Sequence, residues 1–273
     1  MLVTKYLTFA YQIIMSRQTY AVIFLIVILV GVMIYDKFFA DKPKRTKTSK
    51  EKYIKIKKQF DLPQPASIDQ FIDSTPGPPV SFGYKTVWLA LKTTDNKAVL
   101  NYLNKKNSPS FQTNWQKGVD GSYDGYCFIS PPVDGWTLVL NPNTGNLSDK
   151  DTRNLLTSLS KEFGEAQYFG SHRVVSYAAW ARFVDGEMIR AYSIADAQID
   201  MDAGDLTSLE ELHIEEEKKT MSVEDLNYYE AKGFHNVLGG EEQVLEMAGL
   251  WSTNPGNLHD HAESSLGMIF KDF

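Results

Sequence analysis

Hydrophobic positions follow three different patterns along this chain, and the first is one unbroken apolar run near the N-terminus. Residues 20–35 are sixteen consecutive positions without a charged side chain. As a helix this run would be about 24 Å long, close to the roughly 30 Å hydrocarbon core of a bilayer. Flanking aromatic residues extend it, so the pattern predicts a transmembrane helix over residues 19–40. A cleaved secretory signal is the alternative, but the small-x-small pair that cleavage requires does not follow the run.

Basic residues predict the orientation of that helix. Ten Lys and Arg residues lie within residues 36–58, whereas only Lys5 and Arg17 precede the apolar run. Because cytoplasmic flanks carry the excess of basic residues, we expect a single-pass membrane protein with a short external tail at 1–18 and a cytoplasmic C-terminal domain. The basic stretch is also a candidate surface for the lipid bilayer, at about 1 kcal/mol per basic residue. It includes Lys42, Lys44, Arg45 and Lys47.

The second pattern is a long polar stretch over residues 41–82, which we interpret as a linker. Its first half is basic, and its second half contains the proline and glycine residues that interrupt regular structure. Beyond this linker the sequence predicts a globular core over residues 83–200. An acidic, mostly helical extension that packs on this core is predicted over residues 201–273.

The third pattern, short apolar runs separated by turn residues, predicts the fold of the core. Continuous or alternating apolar positions predict four strands, and apolar residues three and four positions apart predict the helices between them. The order is β-α-β-β-α-β, that of a ferredoxin-like antiparallel sheet in the α+β class. Asp185 followed by Gly186 is typical of a hairpin turn and predicts an extra hairpin. The four strands are predicted at residues 85–92, 126–130, 136–140 and 166–169.

Charge is distributed unevenly between the N-terminal segment and the rest of the chain. The net charge is −6, but residues 59–273 contain 31 Asp and Glu against 16 Lys and Arg. Nucleic-acid affinity depends on basic side chains that neutralise phosphates, so we expect no nucleic-acid partner. An acidic domain favours a protein partner with a basic surface, because opposite charges speed encounter. Cys127 is the only cysteine, so no intrachain disulfide can form.

Short motifs for common cofactor and catalytic sites are absent from the sequence. It has no GxxxxGK[ST] phosphate loop, no GxGxxG, no HExxH, no CxxC and no GxSxG. Two clusters of ligand-type residues remain. His259 and His261 would need a third, distant ligand to bind zinc, and residues 200–211 have the acidic spacing of a calcium loop with Gly204 misplaced for its sharp turn. We therefore expect no metal ion and no cofactor.

Four residues are candidates for a binding site. Trp136 follows a turn and is either a core side chain or a partly exposed hot-spot anchor beside Asp134. His172 and Arg173 lie between two predicted strands, where Arg173 is suited to bind carboxylate groups. A nucleophilic pair of Ser171 and His172 is not expected, because adjacent residues on a strand point to opposite faces.

Together these patterns predict a membrane-anchored, non-catalytic protein-interaction module with an acidic cytoplasmic domain. A tether would raise the effective concentration of this domain near a membrane partner, as in an immunity-type or envelope-assembly role. A membrane-anchored hydrolase that uses carboxylates or His172 is one alternative. A small-ligand sensor domain is the other, by analogy with other ferredoxin-like folds.

Overall fold

An antiparallel sheet forms the central layer of the structure, a computed structural model that describes residues 66–260 and 264–271. Its strands lie in the order β2-β9-β3-β4-β1-β5-β6-β7-β8, where β1 is Val87–Leu91, β2 Ser110–Asn114, β3 Cys127–Ile129, β4 Thr137–Leu140, β5 Glu165–His172, β6 Tyr177–Val184, β7 Glu187–Ala195, β8 Gln198–Ala203 and β9 Leu266–Phe270. Every neighbouring pair is antiparallel.

This architecture corrects the predicted fold. The α+β class is confirmed, but the prediction of a ferredoxin-like (βαββαβ) sheet is wrong, because the described residues form a sheet of nine strands. The predicted βαββαβ strands correspond to β1, β3, β4 and β5, which occupy the middle of this sheet. Strands β2, β8 and β9 have no counterpart among the predicted strands. For β2 and β9 the reason is that they pair with each other over a long separation in the sequence, whereas β8 is a polar edge strand beside β7.

No helix in the described part of the chain is long and apolar enough to cross a membrane. The predicted transmembrane segment at 19–40 and the tail at 1–18 lie outside the described residues, as do Lys42, Lys44, Arg45 and Lys47. The described residues form one compact unit. Strand β9 returns from the C-terminal region to lie between β2 and β3, so the predicted core and its extension share one sheet.

Six α-helices accompany the sheet within the described residues: α1 (Asn96–Leu103), α2 (Trp115–Tyr123), α3 (Lys150–Phe163), α4 (Ser208–Thr220), α5 (Val223–Lys232) and α6 (Glu241–Trp251). Successive residues of β1 belong to two different hydrophobic cores, with Trp88 in one and Leu89 in the other, because side chains alternate between the faces of a strand. Helices α2, α4 and α6 pack against the first core, and α1 and α3 against the second. The sheet is therefore covered on both faces.

Local sequence explains the turns that connect the last strands. Asp185 and Gly186 have positive φ angles of 49° and 90°, which is the two-residue turn that matches strand twist, so the predicted hairpin is confirmed. Asp196 and Ala197 make a similar turn, with φ angles of 48° and 61°. After β8, Thr207 is the N-cap of α4 and forms a complete capping box with Glu210. These short connections bring the acidic helices back onto the sheet beside β7 and β8.

Candidate functional site

The two predicted pairs of binding residues lie at opposite ends of the sheet. Trp136 precedes β4 at the end where Thr137 pairs with Leu91. His172 ends β5 at the other end, beyond the pairing of Val87 with Gly170. The structure therefore does not bring the two pairs together into one site.

Trp136 is a core residue rather than an exposed anchor. Its side chain is 5% exposed and belongs to the first hydrophobic core. Asp134 and Gly135 form a tight turn that closes with two backbone hydrogen bonds between Val133 and Trp136, of 2.8 and 2.9 Å. Lys92 Nζ lies over the Trp136 ring, 4.4 Å from its centre. Of the two alternatives predicted for Trp136, the structure has the core side chain, because the turn folds the indole inward while leaving Asp134 at the surface.

Arg173 binds a carboxylate of its own chain. Its Nε lies 3.1 Å from Glu241 Oε2 at the start of α6, and its guanidinium lies 5.8 Å from the centre of the Tyr84 ring. Ser171 is buried and donates to the carbonyl of Gly83 at 2.9 Å. The Ser171 hydroxyl therefore does not bond to the exposed His172, as expected for neighbouring strand residues.

The segment from β8 to α6 carries the densest negative charge of the described residues. Residues 196–246 contain 15 of the 31 acidic residues after position 58 and only three Lys or Arg. Several large apolar side chains on these helices are nevertheless exposed: Leu212 by 50%, Val223 by 76% and Tyr228 by 57%. Exposed apolar side chains surrounded by charge are typical of protein-binding surfaces.

A groove of about 540 Å³ runs between α4 and the segment at 233–235. Its apolar lining consists of Leu206, Ile214 and Phe234, and Glu211 and Glu215 line it from α4. The two carboxylates are one helical turn apart, so they lie on the same face of α4. We call this feature the acidic groove. It combines an apolar floor with negative charge at its margin.

Lys218 and His235 are the basic side chains among the groove's lining residues. Lys218 Nζ lies 2.6 Å from Glu215 Oε1 and 4.4 Å from the centre of the Phe234 ring. Within the described residues, the Glu211 carboxylate forms no ion pair. Glu211 is therefore the carboxylate of the groove that is available to a cationic partner.

A buried ionic network fixes both walls of the acidic groove to the sheet. Arg190 of β7 is 2% exposed, and its Nη2 donates to Glu210 of α4 at 2.7 Å. Its Nη1 donates to Asp202 of β8 at 2.6 Å, and Asp202 is bonded in turn to the ring of His235. Trp180 donates its indole N–H to Glu210 at 2.8 Å. Because Glu210 and His235 belong to opposite walls, the network sets the width of the groove.

The network also changes the acidity of Asp202. Burial raises the pKa of its carboxyl group, but hydrogen bonds from His235 and Arg190 lower it more, so the pKa lies below its ordinary value. Asp202 therefore stays charged at neutral pH and accepts hydrogen bonds from both Arg190 and His235. The pKa of Arg190 is raised, because its bonds to Glu210 and Asp202 outweigh the effect of burial.

The acidic groove could not be predicted from the sequence. Its apolar residues lie at 206, 214 and 234, in three different segments, so no single periodic pattern contains them. The i, i+4, i+7 spacing of Glu211, Glu215 and Lys218 was the one local signal, since it places three charges on one helical face. Among the described residues, no group of three or more His, Cys, Asp and Glu side chains could hold a metal ion.

Known proteins provide no relative on which to base a function. In comparisons with family models, with curated proteins and with solved structures, none matches this chain.

Proposed function

We propose that this chain is a protein-interaction module that binds a basic, partly apolar segment of a partner protein in the acidic groove. The observation that carries the proposal is the apolar floor of Leu206, Ile214 and Phe234 beside the carboxylates of Glu211 and Glu215. An apolar anchor in a desolvated pocket supplies most of the energy of a typical interface. Charges at the margin of the pocket speed encounter and select the partner.

The size and lining of the groove indicate which side chains a partner would place in it. A cavity of about 540 Å³ lies within the range of roughly 300–1,000 Å³ that is usual for ligand pockets. It has room for one or two large apolar side chains. A partner that presents such an anchor next to Lys or Arg would pair its cation with Glu211 and displace Lys218 from Phe234. The exposed side chains of Leu212, Val223 and Tyr228 add apolar area on the same helices.

Photo-crosslinking tests this proposal in the cells that make the protein. A photoreactive phenylalanine analogue replaces Leu212, which is next to Glu211, and a matched control replaces Ser158, an exposed residue of α3. We expect a covalent adduct with a basic protein from position 212 and none from position 158. Adducts that are the same at both positions, or an acidic protein at position 212, would contradict the proposal.

Charge variants test the electrostatic part separately. Glu211→Gln with Glu215→Gln should slow association with the captured protein and weaken its dependence on salt. Glu162→Gln with Glu187→Gln removes the same charge from exposed positions outside the groove, and should change the rate much less. Equal effects of the two pairs would show that net charge, rather than the groove, attracts the partner.

The cellular role stays a prediction. The membrane location depends on residues 19–40, outside the described part of the chain, and so does the proposed proximity to a membrane partner. Cell fractionation tests the location: the full chain should sediment with membranes and be released by detergent but not by high salt. An immunity-type role and an envelope-assembly role would then be separated by the identity of the crosslinked partner.

A further inference from the structure

A second cavity lies at the end of the sheet that contains His172. This cleft, of about 410 Å³, is bounded by the start of β1, the ends of β4 and β5 and the start of β6. Tyr177 lines it, and the Tyr177 hydroxyl is 3.1 Å from the hydroxyl of Tyr168. The backbone N–H of Leu147 donates to the same Tyr177 oxygen at 3.3 Å. The side chain of Tyr177 is therefore held in place, and the cleft has a fixed wall.

The charge of the cleft is opposite to that of the domain. Sixteen described residues line it; they include Lys85 and His172 but no Asp or Glu. Carboxylates near the cleft lie outside its lining. Glu241 accepts from the lining residue Ser171 at 3.3 Å and is paired with Arg173 at 3.1 Å. Asp200 and Asp149 act on the lining only from a distance: burial is the main cause of the raised pKa of Tyr177, and these two carboxylates add to it. The lining therefore carries the charge of Lys85 and no carboxylate, in an acidic domain.

Polar groups that can bind a ligand surround Lys85 and His172. The 141–146 loop lines the cleft with Asn143, Thr144 and Asn146, and Thr144 Oγ1 is buried without a hydrogen-bond partner among the described residues. Within the same part of the chain, neither Lys85 nor His172 has a side-chain hydrogen bond or ion pair. The lining therefore contains uncommitted donors.

The backbone around the cleft is held in left-handed conformations. Lys85, Asn141 and Asn143 have φ angles of 52°, 51° and 53°, and all three line the cleft. Ser176, at 45°, lies between the lining residues Val175 and Tyr177. Such conformations cost about 1–3 kcal/mol each for residues other than glycine, and they cluster at ligand sites. Asn tolerates this region better than Lys does, so Lys85 is the costly member of the group.

We propose that this cleft binds a small metabolite through an oxyanion, either a phosphate or a carboxylate. Lys85 and His172 contact the anionic group, and the side chains of Asn143, Thr144 and Asn146 bind its polar remainder. The volume of about 410 Å³ fits a molecule larger than a single ion, in the usual range for small-molecule pockets. The site is independent of the acidic groove, whose lining residues it does not share.

Calorimetric titration of the full chain tests the proposal with four probes. Inorganic phosphate and glycerol 3-phosphate represent the phosphate source, succinate represents the carboxylate source, and glycerol is the neutral control. We expect saturable binding of a phosphate or of succinate, and no binding of glycerol. Binding of glycerol as strong as that of glycerol 3-phosphate, or no saturable binding of any anion up to roughly 10 mM, would overturn the proposal.

A matched pair of variants assigns the binding to the cleft. Lys85→Asn removes the cation but keeps a residue that accepts the left-handed backbone, and should weaken anion binding about tenfold, the effect of losing one charge-assisted contact. Lys105→Asn, at an exposed position after α1 outside the cleft, should leave the affinity unchanged. The urea midpoint of each variant shows whether it is folded. Equal losses in the two folded variants would show that the anion binds elsewhere.

Discussion

Replacing Glu210 with Gln should destabilise the protein more than any other single loss of charge on α4. The Glu210 carboxylate is completely buried and accepts four groups of donors: Arg190 at 2.7 and 3.0 Å, Trp180 at 2.8 Å, and the backbone N–H and hydroxyl of Thr207 at 2.7 and 2.9 Å. Glutamine supplies one acceptor oxygen in place of two. Its amide group would meet at least one of these donors and leave the Arg190 charge without its buried counter-ion.

The expected loss of stability in Glu210→Gln depends on the counter-ion that Arg190 keeps. Breaking a buried ion pair by removing one partner costs about 3–5 kcal/mol, because a charge is left without compensation. Asp202 still accepts from Arg190 at 2.6 Å, and its side chain is 26% exposed, so we expect the lower end, about 3 kcal/mol. This is a large part of the roughly 5–15 kcal/mol by which a typical domain is stable. By contrast, Glu215→Gln removes an exposed ion pair with Lys218 and should cost less than about 1 kcal/mol.

Urea denaturation followed by tryptophan fluorescence measures both variants. Trp180 is a suitable reporter because it stacks on Tyr192 at 4.8 Å and is bonded to Glu210. Reactivity of the buried Cys127 with a thiol reagent provides an independent measure of unfolding in the opposite core. A Glu210→Gln midpoint equal to that of Glu215→Gln would refute the energetic role assigned to the network.

The double variant Arg190→Met with Glu210→Leu tests whether the uncompensated charge causes the loss of stability in Glu210→Gln. Replacing both charges with apolar groups removes the buried Arg190–Glu210 pair as a whole, and the partly exposed Asp202 keeps its bond to His235, so the double variant should be more stable than either single variant. A residual loss of about 1–2 kcal/mol is expected, because the indole N–H of Trp180 and the backbone N–H of Thr207 lose their acceptor. Simple addition of the two single losses would show that Arg190 and Glu210 are not coupled.

Three further predictions follow from particular contacts. Burial raises the pKa of Asp202, but hydrogen bonds, chiefly from His235, lower it below the ordinary value of 3.8. The charged carboxylate therefore stabilises the fold above pH 3.8, and this stabilisation is lost as the pH falls through the lower pKa of the folded state. Asp202→Asn should flatten the acid limb of a curve of stability against pH. Gly118→Ala normally favours a helix by about 1 kcal/mol, but here the new Cβ would lie 2.2 Å from the Phe128 ring, so urea midpoints should fall by the equivalent of about 1–3 kcal/mol. Glu241→Gln removes a carboxylate that contacts a lining residue of the cleft, and calorimetry should show about twofold to fourfold tighter phosphate binding by the simple loss of repulsion.

Local patterns predicted the centre of the sheet and failed at its margins. Strands β1, β3, β4 and β5 are fully or largely buried, and their continuous apolar runs are visible in the sequence. Strand β2 is polar and only one of its five residues is buried, so its sequence has no strand periodicity. It is a strand because β9 lies beside it, and a pairing over more than 150 residues along the chain leaves no local signal.

Local sequence also predicted the candidate binding residues better than their partners. A polar pair at a strand end was enough to select His172 and Arg173, and His172 does line a cleft. The counter-ion of Arg173 could not be predicted, because Glu241 belongs to a helix that returns to the strand end after two other helices. The sequence left two alternatives for Trp136, a core side chain or a partly exposed anchor. Burial depends on the direction in which the turn at Asp134 folds the indole, and that direction is a tertiary property.

Helix α6 links the two proposed sites, and this determines how their tests can be separated. Its first turn holds the cleft side through Glu241, bonded to Ser171 and Arg173. One and two turns later it meets the start of α4, where the Thr207 hydroxyl lies 3.7 Å from Met247 Sδ. A variant that loosens α6 would therefore remove anion binding and partner binding together, whichever site it touched. Only variants that abolish one and preserve the other, such as Lys85→Asn in the cleft and Glu211→Gln in the groove, show that each surface has its own ligand.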